Sequence, residues 1–420
     1  MASTTQSGRD GGPTIAIVMS GGGARGAYEA GVLAYLLDEL PKKLGRPVRF
    51  DIVTGTSVGA IHACWVAATQ GEAGAGAELA DVWRSFSLDT VFSMGPTDLV
   101  RVPWRLAGLG SVASMLPGGD DRAPERLPGL FDTEWLEQLV FDRVPWSRIH
   151  RNIDAGRLQA LAIAATEIAT GRSVVFVESG GEVPDWSNDP FVIARAARIA
   201  PQHALASAAI PLLFAAIRIG RTYYCDGGLR LNTPLAPALR LGADRVLVIG
   251  LRHPSTPEEE DRIARRREAN FSSTTYLAGK ALNALLLDRI ETDVDRMRLF
   301  NEILTTGREA YGEEFLTRIN KPIVALRNRP YRVVRDVFLR PSEDLGVLAA
   351  ESLRQSPRAR SVRSWFSQHL ARYAARGAIG EADLLSYMFF DHVYTERLLA
   401  LGRADAQKAS RELVALFEDD

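Results

Sequence analysis

Two segments near the start of this chain share one form: an apolar strand pattern, a glycine-rich turn and a helix pattern that begins at once. Thr14-Ile-Ala-Ile-Val-Met-Ser20 is β-branched and apolar, and it runs directly into Gly21-Gly-Gly-Ala-Arg-Gly26. Behind that turn Val32, Leu33, Leu36, Leu37 and Leu40 recur at steps of three and four, which predicts a helix to about Leu40 with Pro41 as its stop. Phe50 to Thr54 repeats the strand, Gly55 to Gly59 the turn, and Ala60 to Ala68 the helix. A strand joined to a helix by a tight turn, twice in succession, constrains the fold to α/β with a mostly parallel sheet.

Further along, Leu158 to Thr166 and Ser173 to Glu178 read as strands joined at Thr170-Gly171-Arg172, and Phe214 to Ile219 and Thr222 to Cys225 flank Gly220-Arg221 in the same way. Asn232-Thr233-Pro234 opens a short helix to about Leu241, and Arg245 to Ile249 is a buried strand. Residues 85–129 lack sustained periodicity and read as an irregular insertion over the sheet. Its apolar residues Val91, Phe92, Met94, Leu99, Val102, Trp104, Leu106, Leu109 and Leu116 would serve as a pocket wall, a lid or a cover for the sheet.

The domain reading is therefore a leader over 1–12, a catalytic α/β domain over 13–251, a charged connector over 252–270 and a mainly helical extension over 271–420. Within the extension, the spacing from Leu282 to Leu304 predicts one long amphipathic helix, and 331–339 is a strand that could extend the sheet.

Composition removes several classes of function. Fifty Lys and Arg against 51 Asp and Glu leave a net charge of −1, so no global field points to nucleic acid. Cys64 and Cys225 form neither a disulfide framework nor a zinc spacing, and no carboxylate or histidine cluster suggests a metal site. Met1 to Gly12 lacks the basic start and apolar run of a secretory signal, and no stretch approaches the ~20 apolar residues of a membrane span. The expectation is a soluble, cytoplasmic protein without a cofactor. Six cations to one anion in Lys321 to Arg340, and again in Glu351 to Arg376 with Trp365 and Phe366, would suit adsorption to anionic headgroups, or else a solvated helix face.

Three short blocks could carry chemistry. Gly55-Thr56-Ser57-Val58-Gly59 is GxSxG between a strand and a helix, where a sharp turn lifts a serine hydroxyl off the sheet edge. About 0.2 such matches arise by chance at this composition, so the context is what gives it weight. Gly21-Gly-Gly-Ala-Arg-Gly26 is far less accidental, with roughly 0.002 chance matches. Successive glycine amides at a helix mouth suit a phosphate or a developing oxyanion. The same block satisfies GxGxxG, but a dinucleotide site would want an acidic residue at the end of the second strand, whereas Asp51 begins it. Asp226-Gly227-Gly228 puts a carboxylate at a strand end, or is simply a turn.

In this order and with these flanks, the three blocks resemble the patatin-like phospholipase family over roughly residues 13–251, and Ser207-Ala-Ala-Ile-Pro211 and Leu235 to Ile249 are similar to its usual surroundings. Leu384-Leu-Ser-Tyr-Met388 resembles the C-terminal extension of some bacterial members. The resemblance implies a three-layer α/β/α domain that hydrolyses lipid acyl esters with a Ser-Asp dyad, on a lipid or phospholipid substrate. Ser57 would be the nucleophile and Asp226 its base. Gly21, Gly22, Gly23, Ala24, Arg25 and Gly26 would supply the oxyanion hole, Gly55, Thr56, Val58 and Gly59 the nucleophile elbow, and Gly227 and Gly228 the rest of the DGG motif.

The residue chemistry suits those roles, since a serine hydroxyl needs a neighbour to take its proton and a tetrahedral oxyanion needs preorganised N–H donors. Burial should raise the carboxylate, so the acid limb of activity should titrate as a carboxylate. His62 lies five helical steps past Ser57, rotated about 140° away. A serine-histidine-aspartate arrangement through His203 or His253 stays open. So do a structural role for Arg25 and a non-catalytic lipid-binding or regulatory protein on the same fold.

Overall fold

The computed structural model describes residues 12–87, 126–127, 134–183, 186, 191–211, 213–254, 290–327, 329–356 and 382–418, with isolated positions at 256, 258, 261 and 265. The insertion residues Val91 to Leu116, the first part of the long-helix pattern from Leu282, most of the connector, and Trp365 and Phe366 lie outside the described residues.

In chain order, β1 (Ile15–Met19) passes through the glycine loop to α1 (Gly26–Ala34), a π turn at Tyr35–Glu39 and α2 (Leu40–Leu44). Then come β2 (Ile52–Thr56), α3 (Val58–Ala68), α4 (Ala75–Arg84), the two-residue β3 (Arg126–Leu127), α5 (Glu134–Arg143) and α6 (Trp146–Asp154). β4 (Ala160–Glu167), β5 (Ser173–Ser179), β6 (Val192–Ala196), α7 (Pro201–Ser207), β7 (Ala216–Ile219) and β8 (Thr222–Asp226) follow, then α8 (Leu235–Leu241) and β9 (Arg245–Ile249). The last part holds α9 (Ile290–Tyr311), α10 (Glu314–Arg327), β10 (Arg335–Leu339), α11 (Leu345–Gln355), α12 (Ala382–Met388), α13 (His392–Lys408) and α14 (Ser410–Phe417).

The strands form one sheet in the order β10-β9-β1-β2-β4-β8-β7-β3, with β5 pairing β4 and β6 pairing β5. The five strands from β10 to β4 are mutually parallel, and β8, β7 and β3 continue antiparallel. Alternation within β1 sends Ile15, Ile17 and Met19 into the core under α1 and α3, and Ala16 and Val18 into a second core under α8 and α9. Two apolar layers on opposite faces of a strand buried along its whole length are what a parallel sheet between helices requires.

Two expectations need correction. Pro41 does not stop the first helix. It sits in the first turn of α2, where a missing N–H costs nothing, and Gly45 in the left-handed region ends the run. The second strand is Ile52–Thr56 rather than 50–54, because Asp51 instead caps the neighbouring strand by accepting from the amide of Ile15 at 2.8 Å. The 331–339 strand does join the sheet, as β10 on β9. The C-terminal helices also return to the glycine loop's own helix: Leu399 in α13 lies with its carbonyl 2.2 Å from where a Cβ on Gly31 of α1 would sit.

Candidate functional site

The end of β2 is the origin of the site. Thr56 pairs with Ala164 of β4, and the next position on β4, Ala165, pairs with Asp226 of β8. As the chain leaves β2 at Ser57, β8 takes its place beside β4, so register alone brings a serine and an aspartate together from 169 positions apart. Ser57 is the sole non-glycine residue with positive φ among the described residues (φ 55, ψ −126), and α3 starts at the next residue. Such a conformation persists only where its surroundings hold it. Here a Cβ on Gly55 would lie 2.1 Å from the carbonyl of Gly59, and one on Gly59 2.6 Å from the carbonyl of Met19. Thr56 ties the turn to the other loop, its hydroxyl donating to Leu231 at 2.8 Å.

The hydroxyl of Ser57 donates to Oδ2 of Asp226 at 2.6 Å, while Oδ1 accepts from the amide of Gly228 at 2.6 Å. Ser57 is 5% exposed and Asp226 1%. Burial pushes the Asp226 carboxyl up to about 6, against the opposing pull of the bonds from Ser57 and Gly228. Its backbone is fixed as well, since its amide donates to Ala209 at 2.8 Å and its carbonyl accepts from Thr166 at 2.9 Å.

The glycine loop lies directly against the serine turn: a Cβ on Gly21 would be 2.9 Å from Cβ of Ser57. The loop's six residues are not equivalent. The amide of Gly21 donates to Asn232 at 3.0 Å, that of Arg25 to Gly22 at 3.1 Å, and that of Gly26 to Gly23 and Ala24. Those three amides are engaged in the fold, whereas the expected oxyanion donors centre on the amides of Gly22, Gly23 and Ala24. The Arg25 guanidinium is 7% exposed and turned to the C-terminal region, donating from Nε to Ser386 at 2.7 Å and lying 4.0 Å over the ring of Tyr387.

His62, His203 and His253 each have other partners. His62 accepts from the indole N–H of Trp83 at 2.8 Å and faces Glu29 at 3.3 Å. His203 takes the amide of Ala200 at the start of α7, where burial lowers its pKa, and His253 meets the carbonyl of Pro341 at 2.9 Å. Asp51 sits at the opposite end of β2 from the glycine loop, which disfavours the dinucleotide reading. No group of three or more His, Cys, Asp or Glu able to hold a metal occurs among the described residues, and none of their helices is long and apolar enough to cross a membrane.

Two residues at the site carried no role in the sequence. Ser207 accepts the amide of Ser57 at 2.8 Å and donates to Ala164 at 2.6 Å, bridging Ser57 to β4. Asn232 clips the glycine loop through its own carbonyl and through Nδ2 to Gly21 at 3.2 Å. Ser207 falls in a block similar to a family flank, and Asn232 reads as the opening of a short helix; neither pattern points to the site by itself.

Among solved structures, VipD from Legionella pneumophila aligns with 97% of this chain and 92% of its own at 11% identity and a TM-score of 0.28. The type III effector ExoU aligns over 89% and 78% at 17% identity and a TM-score of 0.24. No curated protein gives a significant match. The family model described as patatin-like phospholipase matches residues 17–239, a span that takes in the glycine loop, the serine turn and the aspartate turn; the chain belongs to the patatin-like phospholipase family.

Proposed function

We propose that the protein is a serine lipid acyl hydrolase of the phospholipase A or lysophospholipase type, with Ser57 and Asp226 as its dyad. The observation that carries this reading is the 2.6 Å bond from a buried serine hydroxyl to a buried carboxylate whose proton affinity is raised to about 6. A carboxylate so poised accepts a proton better than an exposed one does, and still stays ionised at neutral pH.

In the reaction, Oγ of Ser57 attacks the ester carbonyl while its proton passes to Oδ2 of Asp226. The oxyanion is met by the amides of Gly22, Gly23 and Ala24. The alcohol leaves with the proton from Asp226, giving an acyl-serine. Water then attacks that ester, Asp226 takes the water's proton, and Ser57 recovers it as the fatty acid departs.

Labelling with a fluorophosphonate probe and mass mapping of the modified residue tests this directly. Labelling at Ser57 that is abolished in Ser57→Ala and weakened in Asp226→Asn is the expected result; folded wild type that takes no label would favour a non-catalytic lipid-binding protein. The chain's cationic runs support a peripheral contact with anionic lipid, and co-sedimentation with phosphatidylserine vesicles at low salt checks it. Protein left entirely in the supernatant would end that part of the reading.

A further inference from the structure

The motif Leu384-Leu-Ser-Tyr-Met388, far from the catalytic blocks in sequence, lies on the glycine loop. Ser386 and Tyr387 belong to α12, and both are buried. Three separate contacts meet there. Nε of Arg25 donates to Oγ of Ser386 at 2.7 Å, the guanidinium carbon stands 4.0 Å over the Tyr387 ring, and the Tyr387 carbonyl occupies the place of a Cβ on Gly23, 2.3 Å away. Gly23 has φ +55, so its backbone and its lack of a side chain both suit that approach.

The helix that follows this segment, α13, is itself anchored on α11 and α1. The Tyr394 hydroxyl in α13 donates to the carbonyl of Leu345 in α11 at 3.0 Å. A Cβ on Gly402 of α13 would meet the carbonyl of Tyr28 at 2.0 Å, so α13 lies directly on α1.

We propose that Ser386 and Tyr387 are positioning residues for the oxyanion loop, a strap that holds Arg25 and Gly23 so that the amides of Gly22, Gly23 and Ala24 keep one arrangement. Four of the six loop residues are glycine, the residue with the most backbone freedom to lose, and oxyanion donors are effective only when already in place. The loop's own hydrogen bonds fix its ends at Gly21, Arg25 and Gly26, and the strap supplies the hold in the middle. A buried guanidinium suits this task because its edge donates to the hydroxyl while its face stacks on the ring, and the ammonium of a lysine cannot do both.

The kinetic consequence rests on the hydrolase reading above; the ordering of the loop does not. The test uses the full chain as wild type, Tyr387→Leu, Tyr387→Phe and Ser386→Ala. It reads two quantities: hydrogen exchange of a peptide covering the glycine loop, and turnover of a soluble short-chain acyl ester. In Tyr387→Leu the loop amides should exchange faster and kcat should fall about 10- to 100-fold with KM within about twofold, while Tyr387→Phe, which keeps the ring face, stays close to wild type. If Tyr387→Leu does not fold, Ser386→Ala, which removes one hydroxyl, should show the same faster exchange. Loop exchange at the wild-type rate in every folded variant, faster exchange with unchanged kcat, or Tyr387→Phe failing as badly as Tyr387→Leu would overturn the strap. A wild type with no ester turnover sinks the hydrolase reading instead, and the exchange rates still decide the strap.

Discussion

At the scale of single residues, Asp226 sets two pH dependences. Its carboxyl is raised by burial from 3.8 to about 6, so the proposed base is protonated and idle below that value. The kcat of a soluble ester substrate should therefore rise through an acid limb near pH 6, and that limb should survive replacement of His62, His203 or His253. The same shift bears on stability. A group whose folded pKa lies above its unfolded value leaves the fold unpenalised below the unfolded pKa and costs stability as pH rises through the folded one. A rise from 3.8 to about 6 corresponds to about 3 kcal/mol at high pH. Asp226→Asn should accordingly melt higher than wild type at pH 8, with the difference closing toward pH 4, while labelling at Ser57 weakens. Thermal melts of the two proteins across that range check the sign.

At the scale of the element, the serine turn shows which glycines matter and why. A Cβ on Gly55 or Gly59 would stand 2.1 or 2.6 Å from a backbone carbonyl, and carbonyls cannot step aside as a flexible side chain does. Gly74, unlike those two, has positive φ, at 84°, but a Cβ there meets nothing within 4 Å. Gly55→Ala should cost more than about 3 kcal/mol and abolish activity, whereas Gly74→Ala should cost about 1 kcal/mol and leave turnover unchanged. Denaturant unfolding with parallel rate measurements separates the two; similar losses in both would mean that the elbow is not held by close packing. Both glycines of GxSxG were legible as a motif. That Gly59 packs against the end of β1, and so ties the serine turn to the glycine loop that follows β1, depends on strand adjacency that no local pattern encodes.

On the scale of the whole molecule, the α/β layers of residues 13–251 and the C-terminal region share one core. β10 closes the parallel end of the sheet on β9, α13 covers α1, and Arg245 of β9 donates to the carbonyl of Leu416 in α14 at 2.9 Å. A chain ended after residue 251 would uncover Tyr28 and Val32 of α1 along with the outer edge of β9, all of them now buried. It should fail to yield soluble folded protein, and the full chain should unfold its described elements in one transition. Calorimetry on the full chain and expression of the shortened one test this; an independently folded, active fragment would restore the C-terminal region to a separate domain.

What the sequence determined by itself was local. Strand and helix periods, the glycines at reversals, the serine and the aspartate each leave a mark within ten residues, because backbone sterics and side-chain spacing act over that range. Those marks were enough for the α/β architecture and the family. The tertiary structure decided which loop amides remain available, that Arg25 turns away to Ser386 and Tyr387, that Ser207 and Asn232 brace the site, and that β8 arrives where β2 ends. Each of these is a contact between segments far apart in the chain. Burial and strand register fix such contacts only once the whole core has closed.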